Sequence, residues 1–444
     1  MKRMMLACAI VFMCLGMIGA KGSTEQTPPQ VVEVSCFATQ EDQVAIYGKV
    51  FQDLVDSYNA EHGTAYTLVY TPGQGMDITN TRMSSNSKPD IFTLDSPADV
   101  NQYARDGLLL DLTAGAKADG WDKTLFGWAF DLAKVDGKVV TLPYGYEGMV
   151  LWYNKTLMRN LGLNPADIRT LADYETALSK AAQADLIPVM LGSQDWPWAQ
   201  EWYLSILYSY TGRQLLRDTI TGASPTGWTD PAFKTTVELY KSWHDRKWLA
   251  DGRSYVLTSD DAINAFTNGL ALFKLEGTWA PYWILPLEEA ERANIGVMLH
   301  PSINTDEEPH LPLAVGGMWC ASADTKHPQI VQHLLNGLLA QDIQSEFVQN
   351  GMDVAPMQID PSEFKGLDPT IEQMWAMVNT ALAEGSFGYT TWAFYPPETR
   401  VYLYEGIVNV LEGRITVDAY LTELDRLNKK ELAQGFSPVL PQAR

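Results

Sequence analysis

An aromatic and polar set carries most of the chemistry this chain could do: Tyr144, Tyr146, Glu147, Gln194, Asp195, Trp196, Trp279, Trp319 and Trp392. These residues sit beside Gly or Pro instead of inside amphipathic stripes, which places them at strand ends and loops. Flat rings next to carboxylates and amides suit a sugar, whose C–H face lies on a ring and whose hydroxyls donate to Asp or Glu. The competing reading makes each Trp a core residue. Trp152 lies inside a strand-like run and reads as core, whereas Trp279 follows Gly277 and reads as part of a site.

Other chemistries lack their residues. The six His, at 62, 244, 300, 310, 327 and 333, form no metal-ligand spacing. There is no Gly-x-Ser-x-Gly elbow and no Walker loop, and Gly73-Gln74-Gly75 is too short for a nucleotide loop. The sequence therefore points to no metal and no cofactor. Asp260-Asp261, Glu288-Glu289 and Glu307-Glu308 read as solvated faces. A glycosidase needs two carboxylates about 5–10 Å apart across a cleft; Glu147 and Asp195 are the pair that could meet that demand.

The elements that must hold this set are organised around residues 135–157. Asp136-Gly137 between apolar runs reads as a two-residue hairpin turn. Leu142 and Pro143 should end that hairpin, since Pro cannot donate to a ladder. Gly145 and Gly148 loosen the backbone beside Tyr144, Tyr146 and Glu147, and a second strand follows at 149–153. The stretch reads as a chain crossing from one α/β lobe to another. Before it, strands at 31–35 and 66–70 flank a helix with Tyr47, Val50, Phe51, Leu54, Val55 and Tyr58 at helical spacing, closed by Gly63. Such a unit implies a right-handed crossover and a mainly parallel sheet. Another strand, 90–94, leads into a helix capped by Ser96-Pro97. Beyond the crossing, Thr170 and Asp173 resemble a capping box. Strands follow at 187–191, 270–274 and 295–299, an extended run at 313–321, and one long helix at 328–350.

The totals agree with two cores. The chain has 444 residues, 46% of them hydrophobic and 19% charged, enough for two or more domains. Net charge is −22, a surface that repels phosphate backbones and argues against nucleic acid. Residues 1–20 read as an export signal: Lys2-Arg3, an apolar run, then Ile18-Gly19-Ala20 for cleavage. Residues 21–30, with Pro28-Pro29, read as a tether. Cys8 and Cys14 fall within the signal. Cys14 is a candidate for lipidation, but Val11-Phe12-Met13 lacks the small residues expected before it, so the mature chain is expected to begin near Lys21. Cys36 and Cys320 remain, and whether they pair is not legible here.

Four stretches together are familiar. They are Pro89-Asp90-Ile91-Phe92 with Ala104-x-x-Gly107-x-Leu109-x-Asp111-Leu112-Thr113; Asp136-Gly137-Lys138 through Pro143 to Tyr153-Asn154-Lys155; Ala265-Phe266-x-x-Gly269-x-Ala271 through Gly277-x-Trp279; and Ala314-Val315-Gly316-Gly317. In their order and spacing the chain resembles the family 1 extracellular solute-binding proteins of ABC importers, the maltose-binding-protein-like group. The resemblance spans nearly all the mature chain, though its signal departs from the lipoprotein form common in that family.

The resemblance implies an α/β, two-lobed periplasmic-binding-protein-like fold with a hinge and an inter-lobe ligand cleft. The first lobe would take 31–141 plus 298–350, the second 145–296 plus 355–444. The cleft would be lined by Asp95, Tyr144, Glu147, Asp195, Trp196, Trp279, Gly317 and Trp392, with residues 37–40 beside them and Gln194 added from its loop. The implied protein is no enzyme. It is an exported monomer, periplasmic or tethered to the outer face of the cytoplasmic membrane. It captures a mono- or oligosaccharide and delivers it to ABC transporter permease subunits, the ligand selecting a closed form. The alternative is a secreted carbohydrate-active enzyme using a cleft carboxylate pair. A surface adhesion protein would show no closure on small ligands, and polyamine or amino-acid ligands would need an aromatic-poor, charge-matched cleft.

Overall fold

The computed structural model describes residues 30–192, 194, 199–438 and 440. The expected signal (1–20), the tether up to residue 29, Cys14, and the two candidate ligand residues Asp195 and Trp196 lie outside the described residues. Among those described, eleven strands form: β1 (Gln30–Ser35), β2 (Tyr66–Thr71), β3 (Ile91–Leu94), β4 (Lys134–Val135), β5 (Lys138–Val139), β6 (Thr141–Asn154), β7 (Ile187–Met190), β8 (Ala271–Gly277), β9 (Ile295–Met298), β10 (Leu311–Ala321) and β11 (Phe387–Tyr389).

Local signals build most of these. The helix Glu41–His62 buries Tyr47, Val50, Phe51, Val55 and Tyr58 and stops at Gly63, whose φ of 63° suits glycine. Asp136 and Gly137 both take positive φ and join β4 to β5 antiparallel. Ser96 caps the helix Pro97–Arg105, and Thr170 with Asp173 closes a full capping box on Leu171–Gln183.

The main sheet runs β2-β1-β3-β10-β6-β8-β7, with β11 on β10 and β9 on β6. The expected parallel pairing holds on the flanks, where β1 meets β2 and β3, and β7 meets β8. The middle is antiparallel: β10 pairs with β3 and β6, and β6 with β8 and β9. The sheet is therefore mixed. Helical crossovers enforce parallel neighbours only between the strands they join, and β10 follows β9 with no helix between them.

These two long strands carry the correction to the 135–157 reading. Pro143 does not end a strand; β6 continues for 14 residues through it. The ladder to β10 is irregular just there, with register shifts around Gly317, and a bulge is where a residue without an N–H can sit inside a sheet. A third segment runs alongside: Tyr146 N–H donates to Val354 O at 3.0 Å, and Phe126 N–H to Pro356 O at 2.8 Å. The expected helix 328–350 is two helices, Pro328–Gly337 and Gln341–Gln349. Gly337 lies against the Leu54 side chain, and Ala340 turns extended to restart the chain.

One side of the core is built from Val32, Val34, Phe51, Ile91, Phe92, Ile330 and Leu334. The other is built from Leu151, Trp152, Leu178, Val189, Leu204, Tyr240, Trp243 and Phe273. Trp152 is fully buried and donates to Gly277 O at 3.3 Å, a core residue. Cys36 and Cys320 are both buried free thiols.

Candidate functional site

The middle of β6 supplies the first half of the site. Tyr144 stacks on Phe37 (ring centroids 5.7 Å, 30°) and leans on Trp319 at 5.4 Å. A Cβ at Gly317 would run into the Tyr144 ring, so that glycine lets strand and ring approach. The Glu147 carboxyl lies against Gly316 in the same way, leaving no room there for a side chain. The Trp392 indole hydrogen-bonds to Glu147. Burial pushes the Glu147 carboxyl well above the usual range, Asp353 adding to the rise. Asp353 itself sits against Gly145, and burial pushes it up to about 6. Asp95, just past β3, is raised to about 6 by burial and then by Asp99, with Arg400 opposing. Arg400 holds the buried Glu201 carboxylate at 2.7 Å, which Thr391 Oγ1 also approaches at 2.6 Å.

The end of β8 supplies the second half. Trp279 is half-buried, and its indole N–H donates to Glu276 Oε1 at 2.8 Å. Its ring folds back against Gly277, tilts against Trp202 at 5.2 Å and meets Trp392 edge-on at 6.1 Å. Glu276 is ion-paired with Lys274, both side chains 3% exposed. Thr278 ties this loop to β6, its Oγ1 accepting from Gly148 N–H at 3.1 Å and its N–H donating to Gly148 O at 2.9 Å.

Of the sequence candidates, the structure brings Tyr144, Glu147 and Gly317 together on the paired strands. Trp392 links Glu147 to Trp279, and Asp95 lies within electrostatic reach of Glu147. Phe37 joins through its stack on Tyr144. Gln194 is exposed, and its backbone N–H donates to Leu257 O. Two members of the initial aromatic set are core: Trp319 is 1% exposed beneath Tyr47, Phe51 and Tyr144, and Tyr146 is buried against Phe126 and Trp375. Sequence reasoning missed Asp353, Trp202 and the Glu276–Lys274 pair. Asp353 shares the signal used for Glu147, an acid close to a glycine, here Gly351. Of the acidic doublets, Asp261 and Glu288 take part in helix capping boxes and the exposed Glu308 pairs with Arg169, but Glu307 departs from the expected solvated face, since its side chain is largely buried against Arg213, which donates to it from both backbone N–H and Nε. Among the described residues no group of His, Cys, Asp and Glu could hold a metal ion.

Residues 41–345 match the model of the bacterial extracellular solute-binding proteins. The chain belongs to that family. A probable sugar-binding periplasmic protein of Mesorhizobium japonicum is 31% identical over 141 residues, which is 31% of this chain and only 33% of that relative. A maltooligosaccharide ABC transporter solute-binding lipoprotein of Streptococcus pneumoniae is 22% identical over 302 residues, 67% of each chain. Among solved structures, a chitin oligosaccharide binding protein superposes with a TM-score of 0.77 at 20% identity, covering 92% of this chain and 100% of that one. The extracellular solute-binding proteins are two-lobed binders, and the mixed α/β fold described above is theirs. Family membership makes this chain a binding protein, not an enzyme. It also places the chain among proteins that work outside the cytoplasm. No helix among the described residues is long and apolar enough to cross a membrane.

Proposed function

We propose that this solute-binding protein captures a small carbohydrate between its two lobes and delivers it to the permease of an ABC transporter. The observation that carries this reading is the pairing of ring faces with buried carboxyls along one line: Tyr144 and Glu147 on β6, Trp392 bonded to Glu147, and Trp279 edge-on to Trp392. Rings and acids so placed offer a sugar both a stacking face and acceptors for its hydroxyls. The names of the relatives, sugar-binding and maltooligosaccharide-binding, point the same way. The enzyme alternative finds no support in them.

In this reading the ligand contacts are Asp95, Tyr144, Glu147, Trp279, Gly317 and Trp392, joined by Asp353, Phe37 and Trp202; Gln194, Asp195 and Trp196 stay as expectations from their loop. We also propose a division of the lobes that differs somewhat from the sequence expectation. Residues 300–310 bond to 169–213, through Ser302 N–H to Arg169 O and Tyr210 to the carbonyls of His300 and His310. We therefore place the return to the first lobe inside β10, near Gly317, instead of at 298. The crossings are then β6, β10 and the segment 352–357. Export by the 1–20 signal, with 21–29 as tether because β1 already begins at Gln30, completes the proposal.

A thermal-shift screen across neutral, amino and acidic sugars tests it, since a ligand that binds only the folded state raises stability by RT ln(1 + [L]/Kd). Binding by at least one sugar, with a smaller radius of gyration in solution scattering at saturation, is the expected result. No shift with any sugar, or identical scattering with and without the bound sugar, overturns it.

A further inference from the structure

Three carboxyls lie within electrostatic reach of one another on and beside β6, and two of them, Glu147 and Asp353, have no cation of their own among the described residues. Glu147 comes from β6, Asp353 from the segment that runs beside it, and Asp95 from the end of β3. Among the described residues neither Glu147 nor Asp353 forms an ion pair with Lys, Arg or His. Arg400, the cation nearest Asp95 and Asp99, is bonded to Glu201. On the Trp279 side the contrast is complete, since Glu276 has Lys274.

A second, independent feature points into the same space. Tyr144 is 6% exposed, its hydroxyl has no hydrogen-bond partner among the described residues, and it lies within electrostatic reach of Glu147, Asp353 and Asp95. A buried hydroxyl left unpaired costs about 1–3 kcal/mol, so a group from outside should satisfy it. The walls around it are aromatic: Tyr144 on Phe37, and Trp392 beside Glu147. Carboxylates with ring faces are the surroundings in which an organic ammonium is stable, by charge and by cation–π attraction.

We propose that Glu147 and Asp353 make the cleft selective for charge, so that its preferred ligand is a sugar bearing a free ammonium group. This rests on the sugar-binding reading above. The ammonium supplies the positive charge that the cluster lacks, the Tyr144 hydroxyl oxygen accepts a hydrogen bond from one of its N–H groups, and the ring faces flank it. A neutral hydroxyl in its place meets carboxyls that must stay protonated to be buried together. A uronic acid meets like charge and is excluded.

The direction of the pH dependence separates the cases. Burial raises Asp353 and Asp95 to about 6 and Glu147 well above its usual range. The groups facing them are Asp99, Tyr47, Tyr144, Trp392 and Arg400. An ammonium ligand pulls these carboxyls toward ionisation, so binding releases protons and strengthens as pH rises from about 5 to about 6.5, a window in which a sugar amine stays protonated. A neutral ligand buries them further, takes up protons and weakens over the same window.

The test is titration calorimetry on the full mature protein with three matched series of mono- to tetrasaccharides, α- and β-1,4-linked: glucosamine, glucose or N-acetylglucosamine, and glucuronic acid. Buffers of different ionisation enthalpy count the protons. The expected result is glucosamine sugars binding at least about tenfold tighter than neutral ones, with proton release and no measurable uronate binding. In Asp353→Asn that preference should fall by about tenfold while neutral sugars lose less. The wild-type proton count stands without any variant, so poor folding of Asp353→Asn leaves the proposal open to refutation. Neutral sugars binding as tightly as amino sugars, or proton uptake with the amino series, overturns the charge selectivity and leaves the sugar-binding reading intact. Binding by none of the three series overturns both.

Discussion

Two polar clusters flank the same cleft, and they are solved in opposite ways. At the end of β8, Glu276 is held by Lys274 and in turn holds the Trp279 indole N–H, so every charge in that cluster has its counterpart inside the protein. On β6 and the segment beside it, Glu147 and Asp353 have no cationic partner among the described residues, and there too the neighbouring Tyr144 hydroxyl is unpaired. A satisfied network fixes a side chain in place. An unsatisfied one keeps free energy in reserve for whatever enters. On the proposed reading the first cluster holds the platform and the second meets the ligand.

The sharpest way to break this contrast is to unpair the satisfied side. Lys274→Ala leaves Glu276 buried and alone, and breaking such a pair costs about 3–5 kcal/mol. Denaturant unfolding should show that loss, and an unchanged midpoint would remove Lys274 from its assigned role. Next in size is Trp279→Ala. A ring that only presents a face should cost roughly 1–3 kcal/mol of binding, a ten- to hundredfold weaker Kd by calorimetry, with the sugar-free protein unfolding nearly as before. Unchanged affinity with a sharply lowered midpoint makes the ring a core residue instead.

The unsatisfied side should respond with the opposite sign. Asp353 titrates near 6 in the folded chain, above its unfolded value of about 3.9. Its stabilising contribution is complete below about pH 4 and is lost as pH rises through about 6. Asp353→Asn escapes that loss, so at pH 8 it should be more stable than the parent by roughly 1–3 kcal/mol, while the two converge near pH 4. His300 and His310, held down by burial to about 4 and about 3, act the other way. Parent and variant share that acid-side loss, which begins below about 6.5. Equal unfolding midpoints at pH 8 would mean that Asp353 carries no stored cost. The smallest effect is expected from Gln194→Ala, because among the described residues Gln194 is bonded through its backbone N–H alone. Its Kd should match the parent, and a tenfold loss by calorimetry would move the loop into the site.

Much of the scaffold is legible in the order of residues alone. The turn at Asp136-Gly137, the Ser96 cap, the Thr170–Asp173 box and the stop at Gly63 depend on residues within a few positions of one another, and local sterics and hydrogen bonding decide them. The rings and acids of β6 and the Gly277–Trp279 loop are legible for a related reason: polar and aromatic residues beside glycine have no amphipathic stripe to join. The elements that depart from expectation depend on distant partners. Pro143 passes through a strand because β10, more than 170 residues on, bulges to meet it. The helix expected at 328–350 breaks in two, its first half seating Gly337 against Leu54. Trp319 shares the glycine-flanked surroundings of Trp279 but is core, because Tyr47, Phe51 and Tyr144 close over it.

By itself, then, the sequence determined the elements, their punctuation, and which residue types would line a crossing between two sheets. Only the tertiary structure decided which charges meet. Lys274 and Glu276 are two residues apart on one buried strand and neutralise each other. Glu147 and Asp353 are some two hundred residues apart, and they meet only because the segment 352–357 runs beside β6 through the bond from Tyr146 to Val354. A charge's worth depends on its distance to every other charge and on the water excluded between them, and neither is written in the order of residues along the chain.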